Sequence, residues 1–270
     1  QAPVHIEAGC EVFSVPVDGQ RVRFRSTAPV DLEPLQLLSS QWEGGSGQER
    51  SIVLNFSLTV ANPNDWKSDS LRFYLGGGLA DASKLMRLLQ LNLREIRIAA
   101  PGQPVTLLPA KYLRSVGFDT NNQLLPFPNN AHPAYRCLQE YFALPEKFLF
   151  VELSGFQQWH AREAGGQFSV RLMFENLPDW TMELSSNSFM LGVTPAINLF
   201  NQQAHPLRID HKQTDYRIQP ADHGQRMSIR IHSILNVSAY VAGDGERPLK
   251  QFNTFSQHDT YNLRICASSI

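Results

Sequence analysis

The sequence predicts a mainly β protein with short helices, an α+β fold in which a helical connection joins two β-rich, sandwich-like lobes. Apolar and polar residues alternate over positions 52–60, which is the period of a strand with one buried face. Positions 168–174 repeat this alternation later in the chain. The sequence shows no regular succession of strands and helices of the kind that builds a parallel, doubly wound sheet. The strands are therefore expected to be connected in an antiparallel manner.

The first lobe is expected over residues 1–125. Leu71, Phe73 and Leu75 repeat the strand alternation, and turns rich in glycine, asparagine and proline separate the strand candidates. One amphipathic helix is expected over about residues 81–97. Apolar side chains recur there at helical spacing, namely Leu85, Leu88, Leu89 and Ile96.

The second lobe, residues 126–270, is expected to begin with a helix and to continue as strands. Pro133 suits the first turn of this helix, and the helix must end before Pro145. Its apolar stripe is interpreted as core, because aromatic stripes are usually buried, and consists of Tyr135, Leu138, Tyr141 and Phe142. Further strands are expected at residues 148–151, at residues 189–193 and in the alternating row Met227, Ile229 and Ile231.

The composition of the 270 residues favours a protein whose surface is covered by other proteins. Charged residues account for 18%, against about 25% in an ordinary domain, while aromatic residues reach 10%. The chain has 24 Lys and Arg against 25 Asp and Glu, and this net charge of −1 disfavours general nucleic-acid binding. No apolar run approaches the roughly 18 residues of a membrane span, so direct membrane insertion is not expected.

The cysteines and the chain ends lead to two further expectations, one about the cellular compartment and one about the length of the protein. Cys10, Cys137 and Cys266 are odd in number and far apart, which fits a reducing compartment better than a disulfide framework. The chain starts without a methionine and ends without a turn or tail. These ends predict a fragment of a longer protein.

Sequence motifs for catalysis are sparse. The glycine loops that hold the phosphates of dinucleotides and nucleoside triphosphates do not occur, so no cofactor is expected. The densest polar cluster contains His205, Asp210 and His211, residue types that bind metals or transfer protons. Because adjacent residues on a strand face opposite ways, Asp210 and His211 do not easily share a coordination shell. A β-sandwich ligand-binding module or a metal-assisted hydrolase that uses these three residues stays open as the alternative function.

Five segments of the chain resemble one bacterial family. They are Leu-Leu-Pro-Phe at 124–127, Pro-Ala-Tyr-Arg-Cys-Leu-Gln-Glu-Tyr-Phe-Ala-Leu-Pro-Glu-Lys-Phe-Leu-Phe at 133–150, Thr-Pro-Ala-Ile-Asn-Leu-Phe at 194–200, Pro-Leu-Arg at 206–208 and Asp-His-Lys-Gln-Thr-Asp-Tyr-Arg at 210–217. Together they are similar to TssF, a baseplate subunit of the bacterial type VI secretion system. Earlier pieces fit as well, namely Ala-Gly-Cys at 8–10, Phe-Arg-Ser at 24–26 and Ser-Leu-Arg-Phe-Tyr-Leu at 70–75, so the resemblance covers essentially the whole chain. Family members are considerably longer, which implies that this chain is a middle portion.

The resemblance implies a structural function without catalysis. Proteins of this family form the wedges of a baseplate that docks and triggers a contractile sheath around the VgrG spike. The implied partners are TssG, a second TssF copy, TssK, TssE and VgrG. The implied location is the cytoplasm, at a baseplate docked on the inner-membrane secretion complex, to which TssK provides an indirect link. Surfaces that meet TssG would lie open as apolar patches in the isolated chain.

The resemblance also singles out residues that serve either the fold or an interface. Six lie on or just after the second helix, where Glu140 and Lys147 are expected to fix the corner between the helix and the next strand. The others lie in a polar connection further along the chain. The complete set is Tyr135, Glu140, Phe142, Pro145, Glu146, Lys147, Asn198, Phe200, Arg208, Asp210, His211 and Tyr216.

Overall fold

A computed structural model of the chain describes residues 3–16, 19, 21–44, 49–60, 65–118, 123–125, 132–160, 166–178, 182–209, 212, 215–221, 230–241, 245–249 and 266–268. Two α-helices lie within this part of the chain, α1 (Leu79–Leu91) and α2 (Pro133–Ala143). The strands are β1 (Val4–Ile6), β2 (Glu11–Phe13), β3 (Arg23–Ser26), β4 (Val30–Leu32), β5 (Leu35–Glu43), β6 (Ser51–Leu58), β7 (Ser70–Tyr74), β8 (Leu93–Ala99), β9 (Thr106–Pro109), β10 (Leu113–Ser115), β11 (Phe150–Ser154), β12 (Gln167–Phe174), β13 (Ala196–Ile197), β14 (Phe200–Asn201), β15 (Arg230–Ser233), β16 (Ser238–Val241), β17 (Gly245–Pro248) and β18 (Cys266–Ser268). The prediction of a mainly β fold with short helices is confirmed.

The chain forms two compact units, each assembled from separate pieces of sequence. The first unit combines Gln1–Ala8 with Thr27–Pro195, and the second combines Gly9–Ser26 with Ala196–Ile270. Strands from both sides of residue 125 therefore pair within the first unit. The expected boundary near residue 125 stays a prediction. Among the described residues, no helix is both long and apolar enough to cross a membrane.

The first unit is built around a five-stranded antiparallel sheet in the order β5-β6-β12-β8-β9. Its central strand, β12, pairs Val170 with Leu54 of β6 on one side and with Ile98 of β8 on the other. Leu172 likewise lies between Ile52 and Ile96. Because alternate residues share a face, these pairs line up as buried apolar rows across three strands.

A second sheet and α1 complete the core of this unit. The sheet has the order β10-β11-β7, and its buried residues join the same apolar cluster as the five-stranded sheet. Helix α1 contributes one face to that cluster, with Ala82, Leu85, Met86, Leu88 and Leu89 buried. The apolar spacing thus predicted correctly which face of α1 is buried.

The predicted extent of α1 is wrong at its C-terminal end. The helix ends at Leu91, and Ile96, which fits the helical spacing, belongs to β8. Asn92 fixes this boundary, because its side-chain amide donates to the backbone carbonyls of Glu175 at 3.3 Å and Asn176 at 2.7 Å. The chain leaves the helix here and pairs with β12 instead of continuing.

The strand expected at residues 189–193 is also absent, and the prediction is wrong. Met190 makes a single bridge to Tyr74, exchanging N–H···O bonds of 2.9 Å in both directions. Gly192 follows with a φ of 65°, a backbone conformation that ends an extended pairing. Ile231 lies in β15 as expected, whereas Met227 and Ile229 lie outside the described residues.

Aromatic packing holds the centre of the first unit together. The Phe168 ring on β12 lies 5.0 Å from that of Phe56, 5.7 Å from that of Trp66 and 4.8 Å from that of Trp159. All four side chains are buried. The indole N–H of Trp66 donates to the Glu33 carboxylate at 2.7 Å, so this buried polar group keeps a partner.

Replacing Phe168 by alanine is expected to lower the free energy of unfolding by about 3–5 kcal/mol, because three aromatic neighbours lose their common contact and a cavity remains. Urea unfolding followed by tryptophan fluorescence measures this change. Phe13→Ala is the control, since Phe13 is exposed and its truncation should change stability by less than about 0.5 kcal/mol. Equal effects of the two substitutions would contradict this description of the core.

Candidate interaction surface

Helix α2 begins and ends where the prolines predict. Pro133 occupies its first position, and the Nδ1 atom of His132 accepts a hydrogen bond from the backbone N–H of Ala134 at 3.2 Å, capping the helix. The helix ends at Ala143, and Pro145 starts a short 3₁₀ turn, Pro145–Phe148. Helix α2 therefore lies directly before β11.

The orientation of α2 is the reverse of the prediction that its aromatic stripe is core. The stripe residues are 66% (Tyr135), 56% (Leu138), 54% (Tyr141) and 82% (Phe142) exposed. The side chains that the helix buries are those of Arg136 and Glu140, at 4% and 1% exposure. The apolar face of this helix thus points to solvent, and its charged face points into the protein.

A buried cluster of charges explains this orientation. One Glu140 carboxylate oxygen accepts from the Lys147 ammonium and lies 3.9 Å from Arg136 Nε. Its other oxygen accepts from the backbone N–H of Leu124 at 2.7 Å. A buried carboxylate is tolerated only when it is paired and hydrogen-bonded. Turning the aromatic stripe inward would expose Glu140 and leave Lys147, which is 2% exposed, without its counter-charge.

The turn that carries Lys147 packs closely against a neighbouring loop. A Cβ atom at Gly117 would lie 2.5 Å from the Lys147 carbonyl oxygen and 2.7 Å from Phe148 Cα, closer than any side chain permits. The position therefore requires glycine. This close approach brings the Phe118 ring next to that of Phe148.

The exposed stripe continues beyond the helix as an aromatic surface. The Tyr141 ring lies 5.7 Å from that of Phe142 and 6.2 Å from that of Phe148, and the Phe148 ring lies 4.9 Å from that of Phe118. Phe118 is itself exposed, whereas Phe148 is buried beneath it. Contiguous exposed apolar surface of this kind marks sites of protein–protein interaction. We call Tyr135, Leu138, Tyr141 and Phe142 the α2 face.

The family-motif residues near α2 therefore divide into two groups. Glu140 and Lys147 form the buried cluster, with Pro145 at the start of the turn and Glu146 half-buried beside it. Tyr135 and Phe142 lie on the α2 face. The sequence alone singled out both groups but did not separate the residues that orient the helix from those that it presents.

The remaining motif residues lie in the second unit and form no common site among the described residues. Phe200 on β14 lies under the guanidinium group of Arg23, 5.2 Å from its ring centre. Asn198 and Tyr216 are half-buried, and Arg208 is exposed. Asp210 and His211 lie outside the described residues.

Among the described residues, no group of histidines, cysteines and carboxylates could hold a metal ion. His205 is described and exposed, and its backbone N–H donates to the Gln219 carbonyl oxygen at 2.9 Å. Since Asp210 and His211 are not described, the metal site expected as the alternative stays a prediction.

A shallow cleft in the first unit is lined by charged groups that already have partners. Arg72 donates to the Pro29 carbonyl oxygen at 3.4 Å and to the Glu152 carboxylate at 3.5 Å. The Glu33 carboxylate accepts hydrogen bonds from the indole N–H of Trp66 and from the hydroxyl of Ser68. The Asp31 carboxylate accepts a hydrogen bond from His5. These carboxylates serve the fold.

Ion pairs on strands of the first unit shift several pKa values. His5 Nδ1 donates to Asp31 at 2.5 Å across the β1–β4 ladder, and this hydrogen bond raises the pKa of His5. The hydrogen bond from Arg94 of β8 lowers the pKa of Glu49, which lies just before β6, and the hydrogen bond from Arg97 lowers the pKa of Glu95 on the same strand. These exposed pairs are typical of a solvated sheet face.

A family profile described as "Type VI secretion system, TssF" matches residues 1–265, nearly the whole chain. The chain belongs to the TssF family. This confirms the resemblance carried by the motifs.

Two known proteins show how this TssF-family chain compares with its relatives. The type VI secretion system component TssF1 of Pseudomonas aeruginosa strain PAO1 is 28% identical over 253 residues, which cover 88% of this chain and 40% of TssF1. A chain in the cryo-electron microscopy structure of a TssK-TssF-TssG baseplate subcomplex superposes with a TM-score of 0.82 at 21% identity. That match covers 99% of this chain and 57% of the other, and it shows a shared fold. This chain thus spans less than half of the curated relative.

Replacing Glu140 by glutamine is expected to lower the free energy of unfolding by about 3–5 kcal/mol, because Arg136 and Lys147 would both remain buried without a counter-charge. Lys147→Met should cost less, since Arg136 still faces Glu140. Denaturant titrations of both variants measure which of them loses more free energy of unfolding. The control is Asp81→Asn, which breaks the exposed Asp81–Lys84 pair and should cost less than about 1 kcal/mol. A Glu140→Gln effect as small as that of the control would contradict the role given to the buried cluster.

Replacing Asp31 by asparagine is expected to return the raised pKa of His5 toward about 6.5. Because the folded-state pKa is raised, the pair stabilises the fold fully below the unfolded pKa and loses this contribution as the pH rises through the folded value. An NMR titration of the His5 ring protons measures the shift. Glu7→Gln is the matched comparison, since Glu7 contributes less to the pKa of His5. An unchanged His5 pKa in Asp31→Asn would refute this assignment.

Proposed function

We propose that this chain is a structural component of the type VI secretion baseplate and that it acts through protein contacts without catalysing a reaction. The observation that carries this proposal is the family match over residues 1–265. The chain spans only part of its longer relatives, so it supplies one portion of the surface through which such a subunit assembles.

The α2 face supports an assembly role independently of the comparisons. Four large apolar side chains on an 11-residue helix are exposed, and both charged side chains of that helix are buried. A protein that stays alone in water gains nothing from this arrangement. A subunit that buries the face against a partner gains the free energy of removing apolar area from water, roughly 25 cal/mol per Å².

The proposed partners are TssG, TssK and a second copy of the chain. The similar solved structure contains TssK and TssG together with TssF, and this composition supports the first two. TssE and the VgrG spike are further expected partners, and docking on the inner-membrane complex on the cytoplasmic side is the expected location. Permanent contacts in such assemblies commonly bury about 2,000–5,000 Å².

The proposed work of the protein is mechanical. A baseplate holds a contractile sheath and then releases it, which requires packed elements that have two stable arrangements. In the first unit, two antiparallel sheets and α1 share one apolar core, so this unit can transmit a displacement without deforming.

Co-expression with TssG and TssK from the same bacterium tests this proposal. A tagged chain is expected to elute with both subunits as one complex, whose mass is measured by light scattering and whose composition is measured by mass spectrometry. The same tag on an unrelated β protein is the control. If TssG and TssK elute together while the chain elutes alone, the proposed function is wrong.

A further inference from the structure

We infer that α2 opens reversibly while the rest of the first unit stays folded, because buried charges rather than apolar side chains hold the helix in place. This inference does not rest on the proposed function, since it follows from the contacts of α2 alone. It goes beyond that function by giving the protein an element with two arrangements, a docked helix and an open segment.

The two helices of the first unit are attached to it in different ways. Within the described part of the chain, the apolar core includes five residues of α1 and none of α2. Among the secondary-structure elements, α2 instead contacts mainly the Pro145–Phe148 turn that follows it. Opening α2 therefore exposes little apolar surface, whereas moving α1 would break the core.

The contacts that hold α2 are mainly polar. Glu140 accepts hydrogen bonds from the Lys147 ammonium and from the backbone N–H of Leu124, at 2.7 Å in the second case. The aromatic contact with the turn is looser, since the ring centres of Tyr141 and Phe148 are 6.2 Å apart, near the upper limit for aromatic pairs. The buried cluster is therefore the principal attachment of the helix.

An attachment made of buried charges costs less to open than one made of apolar side chains. Arg136, Glu140 and Lys147 give up their hydration when the helix docks, and they recover it when the helix opens. Apolar side chains gain nothing comparable, because opening only returns their surface to water. Hydration of the open segment thus offsets much of the attraction between the docked charges.

The open segment loses its helical structure as well as its contacts. Helix α2 has 11 residues, and isolated helices shorter than about 12–15 residues are marginal in water. Leu144 follows the helix with a φ of −154°, so the backbone already leaves the helical conformation before the turn begins. Opening can therefore stop at Leu144 without disturbing β11, and it frees the backbone amides of α2 for exchange with water.

Opening changes which residues other proteins can reach. In the docked arrangement the side chains of Arg136, Glu140 and Lys147 are 4%, 1% and 2% exposed. In the open arrangement all three become accessible, while the four apolar residues of the α2 face no longer form one surface. A partner that binds only one of the two arrangements shifts their populations by its difference in affinity for them.

Hydrogen–deuterium exchange of the purified protein, followed by mass spectrometry, tests the inference by comparing the two helices. The hydrogen-bonded amides of α2 should be protected about 10²–10⁴-fold relative to an unfolded chain and should exchange at least about 100-fold faster than those of α1. Urea below the unfolding midpoint should accelerate exchange in α1 and leave that in α2 nearly unchanged, since the effect of urea scales with the surface exposed on opening. Equal rates and equal urea dependence in the two helices would overturn the inference. Exchange of α2 at the rate of an unfolded chain would also overturn it, because the helix would then not be docked.

Substitutions in the buried cluster separate the hydration of charges from ordinary fraying of a helix. Replacing the cluster by apolar residues, with Arg136→Met, Glu140→Leu and Lys147→Met combined, should slow exchange in α2 at least about tenfold, because the open segment no longer recovers the hydration of three ions. Glu140→Gln alone should accelerate exchange in α2 at least about tenfold.

Asp81→Asn is the matched control for these variants, since it removes an exposed carboxylate of α1 and should leave exchange in α2 unchanged. A triple variant in which α2 exchanges as fast as in the wild type, or faster, would overturn the inference that charges make the helix open. The comparison of α1 with α2 in the wild-type protein needs no substitution, so it decides the inference even where a variant does not fold.

Discussion

The outward orientation of the α2 face depends on the buried interactions of the Glu140 carboxylate. This carboxylate lies on the buried face of α2. It accepts hydrogen bonds from the ammonium group of Lys147 in the following turn and from the backbone N–H of Leu124. A buried charge that loses its partner costs more than a buried apolar side chain gains, so the helix turns its charged face inward and its aromatic face outward. The fold thus uses electrostatics to set which residues other proteins can reach.

Much of the β framework could be predicted from the sequence, because the alternation in β6 and β12 has one structural explanation. The α2 bounds were equally clear, since Pro133 and Pro145 limit the helix at both ends. The end of α1 was not clear. Residues 93–99 alternate as a strand, while Ile96 also fits the helical spacing, and only the pairing of β8 with β12 decides between the two.

The orientation of α2 could not be predicted because the decisive partners lie outside the helix. Within the helix, the stripe of Tyr135 and Phe142 and the opposite stripe of Arg136 and Glu140 are both regular, and hydrophobicity favours burying the first. Lys147 and the backbone of Leu124 reverse this choice. One signal was available in the sequence: Arg136 and Glu140 are four residues apart, which places opposite charges on the same face. That signal does not show that a third charge joins them.

The position of β12 at the centre of the five-stranded sheet has a consequence for how the chain is made. Phe168 pairs with Phe56, a residue synthesised more than a hundred residues earlier. At a translation rate of about 5–20 residues per second, β6 waits roughly 5 to 20 seconds for its inner neighbour. During this interval one edge of an apolar hairpin is open, and exposed strand edges invite pairing with other chains. During synthesis of this protein, the inner edge of β6 therefore stays without its native partner until β12 has been made.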